Sequence, residues 1–326
     1  MNASGPGAAS TTRRPRHAAA IAAAALAVAL VAAGCGVGQA GSAGLTTPMS
    51  EIEVMAYAAT MKASSADASV TTTFSTGNHK IDETSTESGP VSWAANEAQF
   101  KTTISMNGIA QLTIRQIIEG NHAYSRLLSP VHIPGSLASL VPDLSGWEET
   151  TWSGTSSDDS SQLLSTLFLG PGGQGNVLNP APLLALLEAH ASSIRNLGSA
   201  VLDGVSTTHY RALIPLSRLG DISPAELRQA RQVLGSSSLS FDYWIDSGGL
   251  LRQLRFGISL RQPRQPKGTP SPPGQVTLPI SYPISASTTL RLSNYGTPVD
   301  IVLPTSSQIT SQVSCTASSS GFDCSS

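Results

Sequence analysis

The sequence predicts an α+β domain built on a predominantly antiparallel sheet. Three observations predict it. Segments rich in Val, Ile, Thr and aromatic residues recur with partial period-2 alternation, and turn formers separate them. Three or four other stretches carry helical spacing or helix caps. Charged residues make up only 12% of the 326 residues, whereas apolar ones make up 40%; an average domain has about 25% charged. That balance supports a buried core and suits an exported, β-rich protein better than a helical cytoplasmic enzyme.

Near the start of the chain lie the basic stretch "RRPRH" over residues 13–17 and the apolar run "AAAIAAAALAVALVAA" over residues 18–33. A positive segment followed by a short apolar one is the layout of a secretory signal peptide. The run is short for a spanning helix, which needs about 20 residues. It ends in "AAGC", which resembles a bacterial lipobox, where the thiol is acylated and the cysteine becomes the new N-terminus. Cys35 is therefore the expected lipidation site. Lipoboxes usually carry Leu three residues before the cysteine, and this chain has Ala32. A plain signal peptide cut at an A-x-A site and an uncleaved anchor are the alternatives.

The expected organisation is a signal peptide over 1–34, a flexible tether over 35–47, a domain over 48–310 and a tail over 311–326. The tether, "CGVGQAGSAGLTT", is uncharged and rich in Gly, Ala and Thr. The 19 basic residues less Arg13, Arg14 and Arg16 leave 16 against 21 acids, a mature charge of about −5. With no basic block, nothing electrostatic favours nucleic acid as a partner.

Ser50 and Glu53 have capping-box spacing, and Ile52, Met55, Ala56 and Ala59 predict one apolar stripe on a first helix. A meander follows in "ASVTTTFST", "VSWAANEAQFKTTISM", "IAQLTIRQIIEG" and "HAYSRLL". Its turns are expected at Gly77–Asn78, Gly89–Pro90, Asn107–Gly108 and Gly120–Asn121. Residues 129–182 are broken by six prolines and contain one strand-like piece, "GWEETTWSG". "NPAPLLALLEAHA" is the next helix, with Asn179 as cap and Pro180 in its first turn.

"GSAVLDGVSTTHYRALIPL" reads as two strands about Asp203–Gly204, and "SPAELRQARQVLG" as a helix capped by Ser223. "SLSFDYWIDSGGLLRQLRFGISL" is the clearest hairpin, turning at "DSGG". Gly204, Gly248 and Gly249 are expected at positive φ, and Asp203 and Asp246 to accept backbone hydrogen bonds in the turns. Tyr210, Tyr243 and Ile245 are expected to fill core. "VTLPISYPISASTTLRLSNYG" and "PVDIVLP" supply the last of about ten strands.

Catalytic and metal signatures are missing. The six histidines lack metal spacing with one another or with cysteine, and no G-x-S-x-G elbow, P-loop or G-x-G-x-x-G motif occurs. No cofactor is expected and no enzyme is implied. Cys315 and Cys324 lie nine residues apart near the C-terminus. In an oxidising compartment they read as a disulfide closing a small loop, with two free thiols as the alternative. "RQPRQPKGTPSPPG" holds Arg261, Arg264 and Lys267 with no acid. It reads either as an exposed Pro-rich loop or as a loop touching anionic headgroups.

Four stretches carry a family resemblance: "LLALLEAHASSIRNLG", "VLDGVSTTHYRALIPL", "FDYWIDSGGLLRQLRF" and "LSNYGTPVDIVLP". Together with the lipobox they resemble the actinobacterial lipoproteins LppX, LprA, LprF and LprG, which share the fold of the carrier LolA. The resemblance spans roughly residues 180–305. It implies a strongly curved antiparallel sheet, a half-barrel, with helices covering its concave face. It also implies a protein held by a lipid anchor at the extracytoplasmic face of the cell membrane. The implied activity is binding, and transfer, of lipids or lipoglycans through an apolar cavity. A sensor or scaffold for a cell-envelope protein partner, without lipid cargo, is the alternative function.

Overall fold

The computed structural model describes residues 51–77, 82–107, 110–128, 146–153, 184, 187, 189–218, 224–261, 283–318 and 321–325. Expectations for Cys35, Asn179, Pro180, Ser223, Arg264 and Lys267 lie outside them. The described strands form one 13-stranded sheet in the order β13-β12-β6-β5-β4-β3-β2-β1-β11-β10-β9-β8-β7.

The first half is a meander. It comprises β1 (Ser65–Thr76), β2 (Asp82–Ser92), β3 (Glu97–Met106), β4 (Ala110–Glu119), β5 (His122–Leu127) and β6 (Trp147–Ser153). The second comprises β7 (Ser193–Leu202), β8 (Val205–Pro215), β9 (Ser238–Asp246), β10 (Leu251–Leu260) and β11 (Ile284–Ser293). The halves join where β1 pairs antiparallel with β11, Asp67 opposite Ser293 and Thr76 opposite Ile284. The hairpin β12 (Ile309–Ser318) and β13 (Gly321–Ser325) completes the sheet, β12 running parallel to β6. The α+β class and the antiparallel sheet are as the sequence predicts.

Alternation on the strands decides which face is the core. On β9, Leu239, Phe241, Tyr243 and Ile245 are buried, while Ser240, Asp242, Trp244 and Asp246 point to the other face. The register places Ala212, Ile214 and Tyr210 of β8 beside the first set. Tyr210 stacks on Tyr243 at 5.4 Å, so both tyrosines and Ile245 fill core as expected. Ala56 of α1 (Glu51–Ala63), helical Leu184 and Leu187, and Leu227, Ala230 and Leu234 of α2 (Pro224–Leu234) join one cluster with the strand residues.

Three expectations need correction. The α1 stripe is Ala56 and Thr60, both fully buried, whereas Met55 is 55% exposed. Small side chains are what bring the helix backbone against the β9–β10 turn at Gly249. Gly89–Pro90 is no turn but lies inside β2; the chain turns at 93–96, where Asn96 takes φ 58°. A Cβ at Gly89 would collide with the Gln99 carbonyl, so the close approach of β3 requires glycine there. "PVDIVLP" is not a strand. Ile301 and Leu303 lie across the outer face against Ile117, Tyr124 and Trp147, which gives alternation without a ladder.

Turn chemistry agrees in large part. Asp246 Oδ1 accepts the backbone N–H of Gly248 and of Leu250, both at 2.9 Å, and Oδ2 accepts Arg252 Nε at 2.7 Å. Gly204 and Gly249 take φ 83° and 82°, but Gly248 does not adopt positive φ. Asp203 itself takes φ 49° and faces Arg291 at 4.0 Å, where a backbone acceptor was expected.

Candidate functional site

The inner face is apolar over β8–β11 and turns polar on β2. Along β2, Glu83, Ser85 and Glu87 share the inner face, since their register partners on β1 are Phe74, Thr72 and Val70. Their partners on β3 are Met106, Ile104 and Thr102. This is the side on which Val70, Ile104 and Ile114 are buried. The outward positions Thr84, Thr86 and Ser88 are exposed, so β2 alternates normally but with polar residues on both faces.

These inward groups are poorly satisfied. Burial raises the Glu87 carboxyl to about 7 and also raises Glu83. The Ser85 hydroxyl oxygen is buried without a hydrogen-bond partner. Neighbouring hydroxyls are occupied elsewhere: Thr72 pairs with Thr288 at 3.2 Å, and Thr102 donates to Gln116 Oε1 at 3.0 Å. Around this island lie Phe74, Leu112, Phe256 and Ile258, large apolar side chains on the inner face that are only half-buried.

Sequence reasoning missed this wall. "DETSTES" lacks apolar alternation, and its only strand signal is its two threonines, Thr84 and Thr86. Among the described residues, the other expected site residues do not gather there. Arg261 is exposed at the end of β10, its backbone N–H donating to the Val233 carbonyl at 2.6 Å. Cys315 and Cys324 are directly opposite each other in the β12–β13 register.

The outer face carries a second polar group. Asp242 accepts from Arg211 Nε at 2.8 Å and from His209 Nε2 at 2.9 Å, and His209 stacks on Trp244 at 4.2 Å. Burial pushes the Asp242 carboxyl up, but the hydrogen bonds and charges of Arg211 and His209 outweigh it and hold the carboxyl low. This cross-strand ladder links β8 to β9. Among the described residues no group of three or more His, Cys, Asp or Glu could hold a metal, and no helix is long and apolar enough to cross a membrane.

No protein-family model and no curated protein matches the chain. Solved structures do. The lipoprotein LppX from Mycobacterium tuberculosis is 18% identical over 78% of this chain and 100% of its own, with a TM-score of 0.37. LprF from Mycobacterium bovis is 13% identical over 79% of this chain and 99% of its own, with a TM-score of 0.34. A DUF1329 family protein from Desulfovibrio piger is 10% identical over 78% of this chain and 96% of its own, with a TM-score of 0.23. Likenesses of this depth assign no function, which rests on the chain's own residues.

Proposed function

We propose that the chain is a non-enzymatic lipoprotein, held at the extracytoplasmic face of the cell membrane through acylated Cys35, that binds a lipid or lipoglycan. In this reading the sheet curves into a half-barrel, the helices cover its concave face, and an apolar space between them holds acyl chains. Transfer of the bound lipid between membranes is the activity such a binder would serve.

One observation carries the reading. On the inner face the described residues leave large apolar side chains only half-buried, beside a Ser85 hydroxyl that is buried without a partner. Side chains of that kind suit the border of a space that a ligand fills. Half-buried Phe74, Phe256 and Ile258 on the same face support that space. Removing apolar surface from water at roughly 25 cal/mol per Å² is enough to retain long acyl chains. Native mass spectrometry of protein purified from its host, followed by lipid extraction, tests it. A co-purifying amphiphile is expected; a lipid-free protein that also takes up no added lipid overturns the proposal.

The anchor and the cysteine pair share one measurement. Cys315 and Cys324 face each other in register, which supports a disulfide between β12 and β13. Intact and peptide mass analysis of the membrane-extracted chain should place acyl mass on an N-terminal Cys35 peptide. The unreduced Cys315–Cys324 peptide should be two hydrogens lighter than the reduced one. An unmodified Cys35 removes the anchor, and two alkylatable thiols remove the disulfide.

A further inference from the structure

A space built only for hydrocarbon would not be walled by β2. Glu83, Ser85 and Glu87 alternate along the strand and point inward, about 7 Å between successive side chains on one face. Among the described residues neither carboxyl has a hydrogen-bond or ion-pair partner, and the Ser85 oxygen is buried without one. Leaving a buried hydroxyl such as that of Ser85 unpaired costs its desolvation. The nearest hydroxyls are already engaged, Thr72 with Thr288 and Thr102 with Gln116. Among the described residues nothing supplies a partner for the Ser85 hydroxyl.

We propose that Ser85 and Glu87 form a polar subsite within the lipid-binding space and receive a hydroxyl group carried by the bound amphiphile. The assignment rests on the lipid-binding reading and adds the chemical class of the ligand. A hydroxyl suits the pair because it donates to a carboxylate and both donates to and accepts from a serine. A plain acyl chain would leave all three oxygens without partners.

The test uses the full chain in equimolar competition between 1,2-dioleoylglycerol and its 3-O-methyl ether, read by native mass spectrometry. The ether keeps the oxygen and replaces the hydroxyl hydrogen with a methyl group, and a double variant controls for that added bulk. The protein should take the alcohol over the ether by about tenfold or more, as for a hydrogen bond to a charged group. The double variant Ser85→Ala with Glu87→Leu should bring that ratio near one while still binding the ether. The variant is expected to fold, because replacing an unpaired buried charge with an apolar residue removes a cost.

Equal binding of both probes by the natural chain overturns the subsite and leaves lipid binding standing. Binding of neither removes both. A preference that persists in the double variant assigns the hydroxyl to other residues and overturns the proposal. So does tighter binding of the matching primary-amine analogue, which would make the wall a cation site.

Discussion

Replacing Phe241 by Ala should destabilise the fold by about 3–5 kcal/mol, among the largest effects of any single truncation. Phe241 is 1% exposed at the middle of β9, faces Ala212 of β8 in register, and tilts against Phe256 of β10 at 5.7 Å. Deleting the ring removes its transfer free energy and leaves a cavity between three strands whose backbones are fixed by their ladders. Chemical denaturation should show a lower midpoint at unchanged slope. Asp242→Ala, one residue on and facing outward, should shift stability by about 1 kcal/mol or less, because its partners are partly solvated. Comparable losses at the two positions would mean that the core does not lie on the assigned face.

Stability should fall as pH rises from about 5 to about 8. Glu87 has a folded-state pKa of about 7 against an ordinary 4.5. Between those values the folded protein keeps a proton that the unfolded chain has released. The contribution is thus fully present below about 4.5, declines through the window and is gone above about 7. At 1.36 kcal/mol per pKa unit the span is about 3 kcal/mol.

Burial is the cause of the shift, and among the described residues no charged side chain contributes. The partners facing Glu87 are Val70 and Thr102. Glu83, raised in the same direction, adds to the slope. Asp242 is held low, so its stabilisation is lost only as pH falls through the acid range, outside this window. Glu87→Gln should flatten the profile and exceed the natural chain in stability at pH 8. An unchanged slope in the variant would show that Glu87 is not the group titrating.

The β9–β10 hairpin was legible because its apolar alternation, its Asp246 turn and its burial pattern agree at every level. Three elements were not. The outer part of β2 is polar on both faces, so the sign that marks a strand is missing where the inner face changes chemistry. The segment over 298–304 alternates because Ile301 and Leu303 bury on the sheet, a pattern that cannot distinguish a ladder from a strap. In α1 the expected Ala56 is buried, but Met55 is exposed and Thr60, outside the expected stripe, is buried as well. Glu83, Ser85 and Glu87 were illegible as a site for a further reason. A polar side chain facing an internal space reads in sequence like one facing solvent.

The seam between β1 and β11 sets a limit on assembly. Asp67 must find Ser293, and Val70 must find Leu290, across almost the whole domain. Such pairings come at a high loop-closure cost, and folds that depend on them form slowly. A chain emerging N-terminus first can build the β1–β5 meander early, but one edge of β1 stays open until β11 arrives. During that interval the inner-face residues Ala66, Ala68 and Val70 lie beside an unpaired strand edge, the arrangement that recruits other chains. The last strands to be made therefore protect the first, and a chain cut before residue 284 would lose its C-terminal part together with the seam that shields its N-terminal half.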